Sequence, residues 1–474
     1  MELKKVSEFV WEIPKQGKML VPAIVFASDS LMEKIKQDNT LQQAANVACL
    51  PGIIKAAYTM PDAHQGYGFP IGGVAAFDLD KGIISPGGVG YDINCGVRLI
   101  RTDFQVNEIL DKRKSLLAEL FDEIPVGVGK KGITKISKDE LNEILVNGME
   151  WAIKHGYGKK EDIQRVEEFG KINGADPEKV SSKAIQRGLP QVGTLGSGNH
   201  FLEIQKVDKI YDEKTAKAFG INNEGQITVM IHSGSRGLGH QIASDYIKSM
   251  EDKFGYSDLP DRELICAPIN SDEGQDYNKA MRCGVNFAFT NRQLMAHLVR
   301  ESFKKVLGTN DGMDVVYDVC HNIAKFEKHK IDGKSREVCI HRKGATRSFG
   351  PGREEIPDIY RKIGQPIMIP GSMGTASYLL VGTSTAEETS FGSTAHGAGR
   401  VKSRHASLRE WRGDVLKKKL KDEQDIEIMA LSMKGLAEEA PNAYKDVDEV
   451  VRVSDGIGIG KKVARFVPIG VMKG

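Results

Sequence analysis

Six side chains carry most of the chemistry that this 474-residue sequence could perform. Four are histidines out of eleven: His200 in GSGNHFLE, His232 in MIHSGSRG, His321 in DVCHNIA and His396 in GSTAHGAGR. The other two are Asp92 and Cys95 in GVGYDINCGVR. One histidine in such a setting is more often a satisfied turn or core residue than a functional one. Four of them, all but His321 among glycines and small polar residues, make a stronger joint case. Cys95 alone reads as a small buried hydrophobe, and Asp92 alone as a turn residue. Gly90 and Gly96 let the backbone turn so that carboxylate and thiol can converge on one ion. With three histidines they suggest a metal site of mixed Asp, Cys and His ligands. Thiolate and imidazole are soft ligands, which points to zinc or another late metal.

The elements that must position these groups follow from the glycine pattern. Glycine is enriched, at 51 residues against only 17 prolines, and it gathers in patches with no three-residue period. That excludes collagen and suits backbone that approaches a ligand closely. Nine glycines lie within 61–100, where β-prone runs such as Val74–Phe77 and Val97–Ile100 predict strands joined by tight loops. Residues 105–190 differ, because LAELFDEI, KDELNEILVNGMEWAIKHGYG and KKEDIQRVEEFG carry helical periodicity and dense charge. In the middle segment Leu141, Ile144, Leu145 and Met149 share a face, with Gly156 as the stop. Strand-like runs return over 191–234, and a long helical pattern covers Asp276 to Leu307. A third glycine block runs from IMIPGSMGTASYLLVG to SFGSTAHGAGR, followed by a basic helix-prone segment. No internal repeat or low-complexity linker separates these parts. The reading is a single α+β unit over 1–474, of mixed sheets with surrounding helices and a helical insertion at 105–190.

Composition narrows the function classes. With 40% apolar and 27% charged residues the chain can bury a sizeable core. A net charge of +2 means that any polyanion must be held by local clusters. No run approaches the roughly 20 apolar residues of a membrane helix, and Met19 to Ala27 reads as an N-terminal strand rather than a signal peptide. Six cysteines without paired spacing indicate a reduced, cytoplasmic compartment. HKIDGK at 329–334 contains the K-x-D-G letters of lysine-based nucleotidyl transferases. The same letters spell a hairpin turn, and the strand-like VCIHR follows, so Lys330 is assigned to a turn.

Taken together, the strings PDAHQGYGFPIGG, GGVGYDINCGVR, GSGNHF, HSGSRGLGH, HRKGATR, PGSMGTASY and AHGAGR closely resemble the RtcB family of RNA-splicing and RNA-repair ligases. The resemblance covers nearly the whole chain. It implies two manganese ions bridged by Cys95, with Asp92 and His200 completing one ion's protein ligands and His232 and His321 the other's. It implies that His396 attacks the α-phosphorus of GTP and carries GMP. Asn199, Gly397, Ala398, Gly399 and Arg400 would hold phosphate. Glu203, Ser377, Tyr444 and Lys473 would form the guanine pocket, lined by Phe201 and by Pro370, Gly371, Ser372 and Met373. Asp62 belongs to a signature string without an assigned role. Manganese is the weakest binder of the divalent series, so zinc is expected to compete.

The activity so implied joins RNA with a 2′,3′-cyclic phosphate or 3′-phosphate to RNA with a 5′-hydroxyl, as in tRNA splicing or RNA repair. tRNA halves are the expected substrate and archease a candidate activating partner. Arg342, Lys343, Arg347 and Arg353, with the segment from Arg400 to Arg412, are expected to form a phosphate track leading to the site. A dinuclear phosphoesterase that needs no nucleotide, or a non-catalytic RNA-binding relative, are the rival readings. Every candidate ligand and His396 are in place, which speaks against both.

Overall fold

Short β-branched and aromatic runs punctuated by glycine build two large mixed sheets. The computed structural model describes residues 1–127, 132 and 136–474. Among them, a seven-stranded sheet is ordered Lys4–Lys5, Val10–Ile13, Ala23–Phe26, Ile53–His64, Ile71–Asp78, Lys334–Lys343, Asn322–Ile331. Only the Ala23–Phe26 and Ile53–His64 pair runs parallel. An eight-stranded sheet is ordered Asp314–Cys320, Gly96–Gln105, Gln226–Ser233, Phe201–Ile210, Lys461–Lys473, Ser377–Val381, Pro366–Ile369, with Glu427–Ala430 added in parallel beside Lys461–Lys473. Helices surround both sheets, and the fold is the mixed α+β expected from the sequence.

The second sheet is buried on both faces, which explains its unbroken apolar runs. Along Gln226–Ser233, Ile227, Val229 and Ile231 enter one apolar cluster, while Met230 enters another with Val97 and Leu99. Strand alternation then carries His232 to the Met230 face. The antiparallel register sets the site. Gly96 pairs with Ser233 and Cys320, Phe201 with His232, and Lys473 with Phe201. Strands that start after Cys95 and His200 therefore lie beside strands that end at Cys320, Ser233 and Lys473. All five meet at one edge.

Residues 106–188 are mostly helical where described, and their helices clasp the long helix Asp272–Leu307 and the second sheet. The single amphipathic segment expected to run to Gly156 is two helices, Lys138–Asn147 and Met149–Lys154. Gly148 separates them with φ +56°, and a Cβ there would lie 2.5 Å from the Gly170 carbonyl, so the chain breaks where another segment crosses it. Leu141, Ile144, Leu145 and Met149 remain buried. The Lys330 segment is the expected hairpin: Ile331 pairs with Lys334, and Asp332 and Gly333 have φ of +49° and +78°. Positive φ at both central residues is the two-residue turn that suits the strand twist.

The long helix starts at Ser271, whose hydroxyl accepts from the Gly274 amide, and stops at Gly308 with φ +89°. Its middle is buried although it carries polar side chains. Arg300 makes a bidentate pair with Asp162 at 2.6 and 2.7 Å, and Gln293 donates to the same carboxylate at 2.9 Å. Removing one partner of a buried pair strands a charge. Asp162→Ala is therefore expected to cost about 3–5 kcal/mol in urea unfolding. A loss under about 1 kcal/mol would mean that water reaches Arg300 and the pair is not a buried one.

Candidate metal centre and nucleotide site

The edge where the five strands meet holds two overlapping groups of ligand atoms. Cys95, His232 and His321 form one, and Asp92, Cys95 and His200 the other, with the atoms of each group within 4.8 Å of one another. Cys95 Sγ lies 3.2 Å from His232 Nε2 and 3.4 Å from His200 Nε2. His232 Nε2 lies 3.3 Å from His321 Nε2, and His200 Nε2 lies 2.8 Å from Asp92 Oδ2. Four ligands about 2.0–2.3 Å from a tetrahedral ion stand roughly 3.3–3.7 Å apart. The observed Cys95–histidine and His232–His321 spacings fall close to this range.

The electrostatics fit a cation as well. Burial pushes the Cys95 thiol well above its ordinary pKa, with Asp92 adding to the effect. Burial likewise drives His232 and His321 well below theirs, so both imidazoles are neutral and can offer a lone pair. Asp92 stays ionised despite desolvation, because His200 and Arg236 hold its carboxyl below the usual range. His200 Nδ1 lies 3.1 Å from both the Leu195 carbonyl and Arg236 Nη1.

His396 stands beside this cluster. It follows the short strand Ser393–Ala395, and its ring meets that of His321 edge-on at 4.9 Å between centroids. Its Nδ1 lies 2.5 Å from Asp62 Oδ2, and the same oxygen accepts from the amides of His396 and Gly397 at 2.9 and 3.2 Å. Asp62 is fully buried. Desolvation raises its pKa, but the His396 ring and amide together with the Lys445 ammonium hold it below the usual range. Gly399, with φ +72°, passes so close that a Cβ would lie 1.9 Å from the Asp62 carbonyl. Any side chain there would push the AHGAGR loop away from Asp62.

A cavity of about 810 Å³ joins these groups to the expected nucleotide residues. Its wall includes Asn199, Phe201, Glu203, Pro370, Gly371, Ser372, Met373, Gly397, Ala398, Gly399, Arg400, Tyr444 and Lys473. Burial raises Glu203 to about 7 and lowers Lys473 to about 8. Ser377 stands behind the wall, its hydroxyl accepting from the Gly371 amide at 3.1 Å. Arg400 is engaged with Glu439 at 2.8 Å and with the Tyr444 hydroxyl at 3.2 Å.

A family model described as tRNA-splicing ligase RtcB matches residues 43–474. The chain belongs to that family. The tRNA-splicing ligase RtcB of Archaeoglobus fulgidus is 55% identical to it, across 100% of this chain and 99% of the relative. Those of Thermococcus kodakarensis and Nanoarchaeum equitans are each 54% identical, across 100% of this chain and 99% and 100% of the relatives.

Against this RtcB-family background, the expected phosphate track needs correction. Arg342 and Arg347 are buried at 0% and 1% exposure and spent on Glu327 and Glu168. Arg353 pairs with Glu355 and Glu387. The HRKGATR arginines brace the sheet under the site and do not face solvent. Lys343 differs, because it lines the cavity, with its ammonium on the Tyr67 and Phe69 carbonyls and its pKa lowered by burial to about 7. Lys402 and Arg404 also line the cavity.

Sequence reasoning missed His64, Arg236 and Glu439. His64 shares the PDAHQGYG string with Asp62 and lines the cavity. Arg236 stands 3.1 Å from His200 Nδ1, inside the HSGSRGLGH string. Glu439 sits in an acidic run, AEEAP, that reads as an ordinary surface turn. It is nonetheless 2% exposed and ties Arg400, Arg404 and Tyr444 together.

Because Cys95 belongs to both ligand groups, Cys95→Ala is expected to lose both bound ions, whereas His200→Ala should lose one. Metal analysis after manganese or zinc loading reads the difference. Two ions retained at full occupancy in Cys95→Ala would refute the shared role.

Proposed function

We propose that this chain is a GTP- and manganese-dependent RNA ligase that joins 2′,3′-cyclic phosphate or 3′-phosphate ends to 5′-hydroxyl ends. Family membership supports the coarser part, RNA ligation in tRNA splicing. The observation that carries the finer part is the placement of His396. It lines one cavity together with the candidate metal-binding side chains and the buried Glu203 and Lys473, with Asp62 on its Nδ1.

The chain's own groups divide the work. Asp62 holds the proton on His396 Nδ1 and leaves Nε2 as the nucleophile. The Nε2–phosphorus bond forms at the α-phosphate of GTP as the bond to pyrophosphate breaks. Glu203 accepts from the guanine N1 and N2 donors, which adenine lacks, and Lys473 stands at the same end of the cavity. Asn199 and the backbone amides of Gly397 to Gly399 hold phosphate oxygens. Divalent ions at Asp92, Cys95, His200, His232 and His321 would spread the charge of phosphoryl transfer. The RNA 3′-phosphate then takes GMP from His396, and the 5′-hydroxyl displaces GMP to close the junction.

The cyclic end is hydrolysed first. Lys343, Lys402 and Arg404, at the cavity wall, are the proposed RNA phosphate contacts. Single-stranded ends such as those of tRNA halves suit a buried site, and archease remains a proposed partner. Residues 1–474 work as one catalytic unit in a reduced, cytoplasmic setting, with 105–190 inserted as a helical brace. All six cysteines are free, and among the described residues no helix is long and apolar enough to cross a membrane.

Two experiments test this reading. With labelled GTP and manganese, His396→Ala should form no covalent GMP adduct, while Lys330→Ala, altered in an exposed hairpin, should form it normally. An adduct mapped to Lys330 by mass spectrometry would overturn the assignment. An isotopic label in the terminal 3′-phosphate should appear in an internal 3′,5′-linkage after joining to a 5′-hydroxyl strand. Release of the label as free phosphate, or efficient joining of 5′-phosphate to 3′-hydroxyl ends, would contradict the mechanism.

A further inference from the structure

The candidate ligands leave the sheet edge on four separate segments, and one helix passes behind all of them. Near the middle of Asp272–Leu307, Asn291 and Arg292 are adjacent and fully buried. Arg292 donates to the backbone carbonyls of Asn94 and Ser233, both at 2.9 Å, and to the Asn94 side chain at 3.0 Å. Its remaining donors meet the Asp318 carboxylate at 2.7–3.0 Å. Asn94 precedes Cys95, Ser233 follows His232, and Asp318 lies three residues before His321 on the strand that delivers it.

Asn291 reaches the remaining segment. Its Oδ1 accepts from the Gly193 and Thr194 amides at 2.8 and 2.9 Å. Its Nδ2 donates to Thr194 O at 3.0 Å, to Ser233 Oγ at 3.2 Å and to Gly234 O at 3.3 Å. The Ser233 hydroxyl in turn donates at 2.8 Å to the Leu195 carbonyl, the group that faces His200 Nδ1. A buried arginine beside an aspartate is ordinarily a satisfied ion pair and nothing more. Here the pair also holds backbone on either side of the ligands: both residues reach Ser233, only Arg292 reaches Asn94 and Asp318, and only Asn291 reaches Gly193 and Thr194.

We propose that Asn291 and Arg292 are positioning residues for the metal centre: Arg292 sets the Cys95–His232–His321 group and Asn291 the Asp92–Cys95–His200 group. The inference rests on the metal reading above. Neither residue touches an ion or substrate; each acts through the backbone that aims the ligands. Outer-shell partners of this kind are typically worth about 10–100-fold in metal affinity.

Manganese titration of the full chain by calorimetry separates this role from simple stability. The His200→Ala background leaves only the His321 group, and the His321→Ala background only the His200 group. Arg292→Lys keeps a charge but loses the planar fork. It should weaken manganese binding about 10–100-fold in the first background and markedly less in the second. Asn291→Ala should show the opposite bias. Ser233→Ala, a smaller lesion that removes the hydroxyl linking Asn291 to the Thr194 and Leu195 carbonyls, should follow Asn291→Ala and serves if the larger change does not fold. Phe303→Ala, a buried ring eleven residues along the same helix, destabilises the fold and should leave both affinities in place. Equal weakening in the two backgrounds, or the same weakening from Phe303→Ala, overturns the proposal. A wild-type chain that binds no manganese or zinc overturns the metal reading itself, and the positioning role with it.

Discussion

Bringing a buried thiol and three buried imidazoles together with a half-buried carboxylate in two overlapping groups is the constraint on which the rest of this architecture depends. Without a cation each of these groups suffers desolvation, and the shifted thiol and imidazoles record it. Side chains on flexible loops would splay apart to recover water. The fold prevents this by starting two strands and ending three at one sheet edge, so backbone hydrogen bonds hold the ligand-bearing segments side by side. The buried ion pairs behind that edge, from Asp318 through Arg98 and Gln293 to Asp162 and Arg300, extend the same rigidity outward.

A second constraint acts on His396. Its Nδ1 faces an acceptor that cannot swing away, because Asp62 is held by two backbone amides of the loop it serves. The Asp62 strand belongs to the first sheet and the ligand strands mostly to the second. His396 follows a strand of a separate two-stranded sheet, so Asp62, His396 and most of the candidate metal-binding groups come from different sheets.

Much of this was legible in the residue pattern. Glycine-flanked histidines, Asp92 and Cys95 could be grouped because loops at strand ends leave side chains facing a common space. The Asp-Gly hairpin at Lys330 could be told from a nucleotidyl-transfer motif because a two-residue turn demands positive φ. Other features leave no local trace. Arg342 and Arg347 have the letters of a phosphate-binding run, yet their carboxylate partners lie 15 and 179 residues away and only the fold brings them together. Asn291 and Arg292 sit in an ordinary helical pattern, and Glu439 in what reads as a solvated acidic turn. The break at Gly148 is set by a crossing segment 22 residues further on, which periodicity cannot register.

His321 is the only residue between the strand Asp314–Cys320, in one large sheet, and Asn322–Ile331, in the other. It is thus a covalent joint as well as a candidate ligand. An ion held by its imidazole would be thermodynamically linked to the angle between the two sheets. Whatever binds more tightly in one arrangement must favour that arrangement by the same factor, and the reverse holds for anything that alters the packing.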